Sequence, residues 1–467
     1  MSTYMKHLTI AMAVVAGCIL QTRIARAETV VATVTVGAAP HSVTVDSVTN
    51  RAYVTNYGTT ALPGTTVSVI DGATTTDTVM KTISVGIHPR SVSVNAATHM
   101  VYVTNYFGDS VSVINGDPSS PTYNTVLTTI AVGPHPRTIK VNPATNRVYV
   151  ANYGTTSVPG TTVSVIDGSP GSATFHTVVK TIIVESNPRH ITLNPTTNTL
   201  YVANEGSASV TVINGANDTF VKTIPVGLNP YDIAADTTTN QVYVADAGTD
   251  TNISNSISVI DGNPGSSTLN TVVKTIPVGI QPRSIAVNSR TNTLYAANYG
   301  TANTPGNTVS VINADPLSPG YNTVVKTLGV GLNPHAVQVN GSTNRIYVAN
   351  YGSDTVSVID GATNTILPVN LPTGTNPYAV ALNTTTGRIF VANYTSDNVT
   401  IIQGPQPLQP FTIADAVLAL KAAGGLSPTT PSEVLRLNVV DGSPAGVVDF
   451  LDAVRIARKV AGLEANP

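Results

Sequence analysis

Runs of alternating apolar and polar residues fill the chain from about residue 29 to residue 403. Arg90-Ser-Val-Ser-Val-Asn95 is one such run, and a period of two marks a half-buried strand. Ala96-Ala-Thr-His99 interrupts it as a turn, and Met100-Val-Tyr-Val-Thr-Asn-Tyr106 resumes it. Phe107-Gly-Asp109 turns the chain before Ser110-Val-Ser-Val-Ile-Asn115, and a loop rich in Pro and Ser leads to Thr125-Val-Leu-Thr-Thr-Ile-Ala-Val132. Four short strands joined by hairpins predict one blade of a β-propeller.

The unit recurs. Tyr53-Val54-Thr55-Asn56 returns at Tyr102, Tyr149, Tyr201, Tyr243, Tyr295, Tyr347 and, with Phe, at Phe390, in steps of 42 to 52 residues. A strand-rich period of this length points to propeller blades. The turn between first and second strands ends on Asn50, Asn146, Asn198 or Asn344, residues that tolerate left-handed dihedrals. The third strand ends in Asp71-Gly72, Asp167-Gly168, Asn214-Gly215, Asp261-Gly262 or Asp360-Gly361, where Gly is expected to supply a positive φ. Thr29–Val36 reads as a fourth strand with nothing before it, and the last unit has only three strands. Pairing these open edges closes the ring, which removes an aggregation-prone edge. The expected fold is all-β, an eight-bladed propeller of four-stranded blades, with seven blades as the alternative.

Composition narrows the class. Charged residues are 10% and the net charge is −2, with no basic or acidic tail. This argues against nucleic acid and anionic membranes as partners. Lys6 and His7 precede an apolar stretch to Leu20, and Ala25-Arg26-Ala27 resembles a cleavage site, so residues 1–27 read as a signal peptide. The apolar stretch is too short for a membrane span. The one cysteine, Cys18, lies within it, and Val15-Ala16-Gly17-Cys18 also reads as a lipoprotein box. Either way the expected location is secreted or at the cell surface, without disulfides.

The Tyr-Val-x-Asn phrases resemble the YVTN-type β-propeller repeat family of surface and surface-layer proteins, over residues 28–403. The resemblance implies a secreted or surface propeller and no particular reaction. Beyond a Pro-rich linker at 404–410, residues 411–467 carry two helical segments: Thr412–Lys421, stopped by Gly425, and Leu451–Arg458, stopped by Gly462. This helical pair resembles a dockerin-type module, which implies calcium loops and a cohesin-like partner. The second loop partly fits calcium through Asp441, Ser443, the Val447 carbonyl, Asp449 and Asp452, but Ala445 stands where an acidic or amide ligand is expected. The first loop lacks a carboxylate, and a metal-free helical pair is the other reading.

A second repeat precedes each first strand: a Pro followed by His41, Arg90, Arg137, Arg189, Tyr231, Arg283, His335 or Tyr378. In a propeller these eight would ring one mouth of the central channel. Tyr57, Tyr106, Tyr153, Tyr299, Tyr351 and Tyr394 follow the repeated Asn on the same face, some on longer loops such as Gly58–Thr66. Arg pairs bidentately with carboxylates and sulfates, and Tyr stacks on sugars. The expected function is therefore non-catalytic binding of an extracellular anionic glycan or surface protein, with no cofactor in the propeller. A structural role, with each Arg stacked on a Tyr, is the competing reading. His41, His88, His135, His190 and His335 also leave open an enzyme, whether a lactonase, a lyase or a metal or haem redox protein. No Cys-x-x-Cys-His, nucleophile elbow, phosphate loop or His-Glu-x-x-His occurs.

Overall fold

The computed structural model describes residues 28–405, apart from 74–76, 156 and 370. The signal peptide with Cys18, the linker beyond residue 405, and the dockerin-like helices with Asp441, Ser443, Val447, Asp449 and Asp452 lie outside the described residues.

Eight antiparallel sheets form a closed eight-bladed propeller. Blade 1 consists of Pro40–Asp46, Arg51–Gly58, Pro63–Asp71 and Val79–Ser84, running from the channel outward. Blades 2 to 7 begin their inner strands at Pro89, Pro136, Pro188, Pro230, Pro282 and Pro334. Blade 8 takes Pro377–Asn383, Arg388–Asn393 and Asn398–Gln403 from the end of the repeats and Thr29–Thr35 from their start. Thr29 pairs with Gln403 and Thr35 with Asn398, so the first strand seals the ring as the sequence predicts. In blade 7 the outer strand is split into Thr365–Ile366 and Leu371–Pro372. Pro368 falls in the gap, and a proline cannot donate to the ladder.

The core lies between blades. Tyr53 of blade 1 is fully buried against Val92, Val101, Val103 and Ile114 of blade 2. Phe390 of blade 8 packs in the same way with Val43, Val54 and Ile70 of blade 1. This packing corrects the expectation for the Asp-Gly turns. None of Gly72, Gly168, Gly215, Gly262 or Gly361 lies in the left-handed region. A Cβ on Gly168 would come within 2.7 Å of Tyr102 Oη of the preceding blade, and one on Gly262 within 2.7 Å of Tyr201 Oη. Gly168 and Gly262 make room for the neighbour's tyrosine, whereas a Cβ on Gly215 or Gly361 would meet Asn198 or Asn344 of its own blade. The left-handed positions are instead the asparagines of the preceding turn, such as Asn50 (φ 56°) and Asn146 (φ 50°).

At the face opposite the mouth, asparagines link blade to blade. Asn95 Nδ2 donates to Asn146 Oδ1 at 2.8 Å, Asn142 to Asn198 at 2.7 Å, and Asn383 of blade 8 to Asn50 of blade 1 at 2.9 Å. On the outer strands of blades 1, 3, 4, 5 and 6, Lys81, Lys180, Lys222, Lys274 and Lys326 are exposed, charges that discourage strand addition at those five edges.

Candidate functional site

All eight residues expected at the mouth line one cavity of ≈ 300 Å³ in the central channel. Each follows the proline that opens an inner strand, and most of these strands shift register between that proline and the third residue, as at Pro40/Ser42 and Pro188/His190. The ring has two arcs. Blades 2, 3, 4 and 6 supply Arg90, Arg137, Arg189 and Arg283, with Tyr231 of blade 5 among them. Blades 7, 8 and 1 supply His335, Tyr378 and His41 in succession.

The arginines both line the channel and stack on tyrosines. Arg90 Cζ lies 5.0 Å from the Tyr106 ring centroid, Arg137 Cζ 4.6 Å from Tyr153, and Arg283 Cζ 3.7 Å from Tyr299. In each case the ring is on the arginine's own blade, at the position after the repeated Asn. Blade 4 has Glu205 at that position. There Arg189 Nη1 pairs with Glu205 Oε2 at 2.6 Å, its Nε donates to the Tyr231 carbonyl at 3.1 Å, and its guanidinium lies 3.2 Å from the Tyr231 ring centroid. Arg283 approaches the same ring at 5.4 Å.

These charges set the proton affinities around them. Burial, then Arg189 and Arg90, lower Arg137 to about 9. Burial favours the neutral form of Tyr231, but Arg189, Arg283, Arg137 and Arg90 overcome it and hold the phenol below its ordinary value. Tyr378, on the other arc, is raised by burial and by Tyr231. Burial pushes His335 down to about 4; its bond to the Tyr378 carbonyl resists the fall, and Arg283 and Arg189 add to it. His41 is lowered by burial, then by Arg90 and Arg137.

One step further along the strands, six blades carry Ser42, Ser91, Thr138, Ser284, Ala336 and Ala379. Blades 4 and 5 carry His190 and Asp232, which also line the cavity. His190 Nδ1 is covered and lies 2.7 Å from Asp232 Oδ1, close enough for an ion pair but out of line for a straight hydrogen bond. The His190 side chain is 40% exposed where it lines the cavity, and Nε2 is not among its covered atoms. The backbone amides of Ile233 and Ile285 donate to the two oxygens of Asp232 at 2.8 and 2.9 Å. Burial raises the Asp232 pKa, but His190 and these amides bring it below the usual carboxylate value.

Two further departures fall in blade 5. In most blades the repeated Asn donates from Nδ2 to two hydroxyls of the third strand, as Asn152 does to Thr162 at 2.9 Å and Ser164 at 2.9 Å. Blade 5 has Asp246, fully buried, accepting from Ser258 at 2.7 Å and Ser256 at 3.1 Å. Burial raises its pKa to about 6 against these hydroxyls. The next residue is Ala247 where most blades carry Tyr. Glu205, Asp232, Asp246 and Ala247 were not singled out from the sequence, and their signal was departure from the repeat. The extra residues of the longer loops extend the hairpins of blades 1, 3, 5 and 6, as Gly58 pairs with Pro63.

The histidines divide. His41, His190 and His335 line the cavity. His88 and His135 occupy left-handed positions before Pro89 and Pro136 and pack on either side of exposed Phe107, at 4.8 and 5.2 Å between centroids. Among the described residues no group of three His, Cys, Asp or Glu is arranged to hold a metal.

A family model described as lactonase, 7-bladed β-propeller matches residues 17–305 and again 241–368. The chain belongs to this lactonase propeller family. Two overlapping matches accord with a member that has eight blades where the family description names seven. A comparison with curated proteins returned no match. Among solved structures the chain is similar to hydrazine synthase of Kuenenia stuttgartiensis, at 20% identity and TM-score 0.50, covering 83% of this chain and 99% of that one. It is also similar to the dihydro-heme d1 dehydrogenase NirN in complex with DHE, at 13% identity and TM-score 0.55, covering 73% and 66%. At these identities the likeness shows the fold, and the family's propeller supports many chemistries.

Proposed function

We propose that the channel mouth binds a small carboxylate or phosphate anion and that the seam between blades 4 and 5 performs acid–base chemistry on it. The observation that carries this reading is the convergence of four guanidinium groups on a cavity of ≈ 300 Å³ whose own carboxylate, Asp232, is held by His190. Like charges gathered at close quarters repel and are stabilised by an anion between them. The family's name favours hydrolysis of a lactone. In that reaction His190 Nε2 takes a proton from water as the water oxygen bonds to the acyl carbon, and Asp232 steadies the imidazolium. The arginines stabilise the oxyanion. The ring C–O bond then breaks, and the leaving oxygen takes the proton back from His190, so one water is consumed.

A second reading, capture of an anionic glycan or protein loop at a cell surface, is favoured by apolar side chains on the mouth face. Ile87, Phe107, Leu228 and Leu332 are 44–50% exposed there, and Leu62 and Val158 stand at hairpin tips. The readings separate in a pH-stat assay with a carboxylate-bearing lactone. Hydrolysis that falls about a hundredfold in His190→Gln, with anion binding retained by calorimetry, supports the first. Tight binding of anionic glycans without any turnover supports the second. Absence of anion binding, in wild type and Arg137→Gln alike, contradicts both.

A further inference from the structure

The two arcs of the mouth differ in hydrogen-bonding polarity as well as charge. Arg90, Arg137, Arg189 and Arg283 can only donate. On the other arc His335 Nδ1 lies 2.8 Å from the Tyr378 carbonyl and His41 Nδ1 lies 3.1 Å from the Arg90 carbonyl. A carbonyl oxygen only accepts, so each imidazole carries its proton on Nδ1 and a lone pair on Nε2. Burial and the nearby arginines disfavour the imidazolium at both positions, so Nε2 stays an acceptor at neutral pH. Two fixed acceptors therefore flank Tyr378, beside Arg90 and Arg283, and their arc faces Arg137, Arg189 and Tyr231 across the ring. Ala336 and Ala379, beside them, leave room where other blades carry larger side chains.

We propose that the mouth selects a hydroxy-carboxylate: the carboxylate lies on the arginine arc, and hydroxyl groups at the far end donate to Nε2 of His41 and His335. This inference rests on the anion-binding reading above and adds the polarity of the ligand's other end. An aliphatic acid of the same length would leave both lone pairs buried without a donor, and buried polar groups left unpaired reject such analogues strongly. A dicarboxylate would set its second anion against the same lone pairs. His41 and His335 are thus specificity-determining residues, and the repeat does not require them, since the equivalent place in other blades is Arg or Tyr.

Calorimetry with the full chain tests this, using threonate (three hydroxyls and a carboxylate), butanoate (the same carbon chain without hydroxyls) and threitol (hydroxyls without charge). Threonate is expected to bind at least tenfold more tightly than butanoate, and threitol not measurably. The His41→Phe/His335→Phe double variant should abolish the preference, weakening threonate and tightening butanoate until the two bind alike. The His41→Gln/His335→Gln pair, which restores a carbonyl acceptor, should recover part of the preference. Equal binding of threonate and butanoate by the wild type overturns the inference while leaving the anion site standing, as does a preference that survives in the Phe variant. If threonate, butanoate and inorganic phosphate all fail to bind, the anion site falls, and this inference with it.

Discussion

Blades 4 and 5 share the backbone of the other six but differ at five polar or aromatic positions, although blade 4 keeps its mouth arginine and the Asn204 that donates to Ser209 and Thr211. In blades 2, 3 and 6 an arginine at the mouth rests on a tyrosine of its own blade, and a buried Asn ties the second strand to hydroxyls of the third. At the seam of blades 4 and 5 the tyrosines are replaced by Glu205 and Ala247, a small residue by His190 and by Asp232, and the Asn by Asp246. The replacements bring in four titratable groups, and His190 and Asp232 line the one cavity where the arginines meet. In a repeat protein the common residues are explained by stacking and closure. Residues that break the repeat need another explanation, and five of them, His190, Glu205, Asp232, Asp246 and Ala247, share one seam.

The contrast breaks most visibly at the arginines. Arg189→Gln leaves Glu205, which is 21% exposed, without its ion pair, and should cost about 3 kcal/mol in urea unfolding. Arg90→Gln removes a guanidinium that stacks on Tyr57 and Tyr106 but has no ion pair among the described residues, and should cost less than about 1 kcal/mol. Equal costs would mean that the seam holds its arginine no differently from the rest of the ring.

The architecture was legible because it is written eight times. The period gave the blades, the orphan strand Thr29–Thr35 gave the closure, and the residue after each proline gave the channel lining. What could not be read was pairing across blades. The contact of His190 with Asp232 joins residues 42 positions apart, and neither motif nor spacing marks it until the inner strands are set side by side. The Asp-Gly turns misled for a related reason. A local rule assigns the glycines to backbone conformation, whereas the constraint is crowding, at Gly168 and Gly262 by the tyrosine of the preceding blade and at Gly215 and Gly361 by the asparagine of their own turn.

Asp246 sharpens the comparison next. Its folded pKa of about 6 lies above the unfolded value of about 3.9, so the folded state binds the proton more tightly. Stability tied to this group is therefore present in acid and is lost as pH rises through 6. Asp246→Asn should raise stability at pH 8 by about 3 kcal/mol and make no difference at pH 3. Asn152→Asp should do the reverse in blade 3, a blade built without the charge. Chemical denaturation across pH 3–8 checks both, and a pH-independent effect of Asp246→Asn would refute the assignment.

A smaller effect separates the two tyrosines of the ring. Tyr231 should ionise below pH 10 and Tyr378 above it, as followed by phenolate absorbance. Tyr231→Phe should remove the early step alone, and an unchanged early step would place the acidified phenol elsewhere.

The central claim, that function resides where the repeat is broken, is tested most directly by restoring the repeat. A chain carrying His190→Thr, Glu205→Tyr, Asp232→Ser, Asp246→Asn and Ala247→Tyr should still melt as a closed propeller and should lose acid release from a carboxylate-bearing lactone in the pH-stat. A well-folded variant that hydrolyses the lactone at the wild-type rate would contradict it.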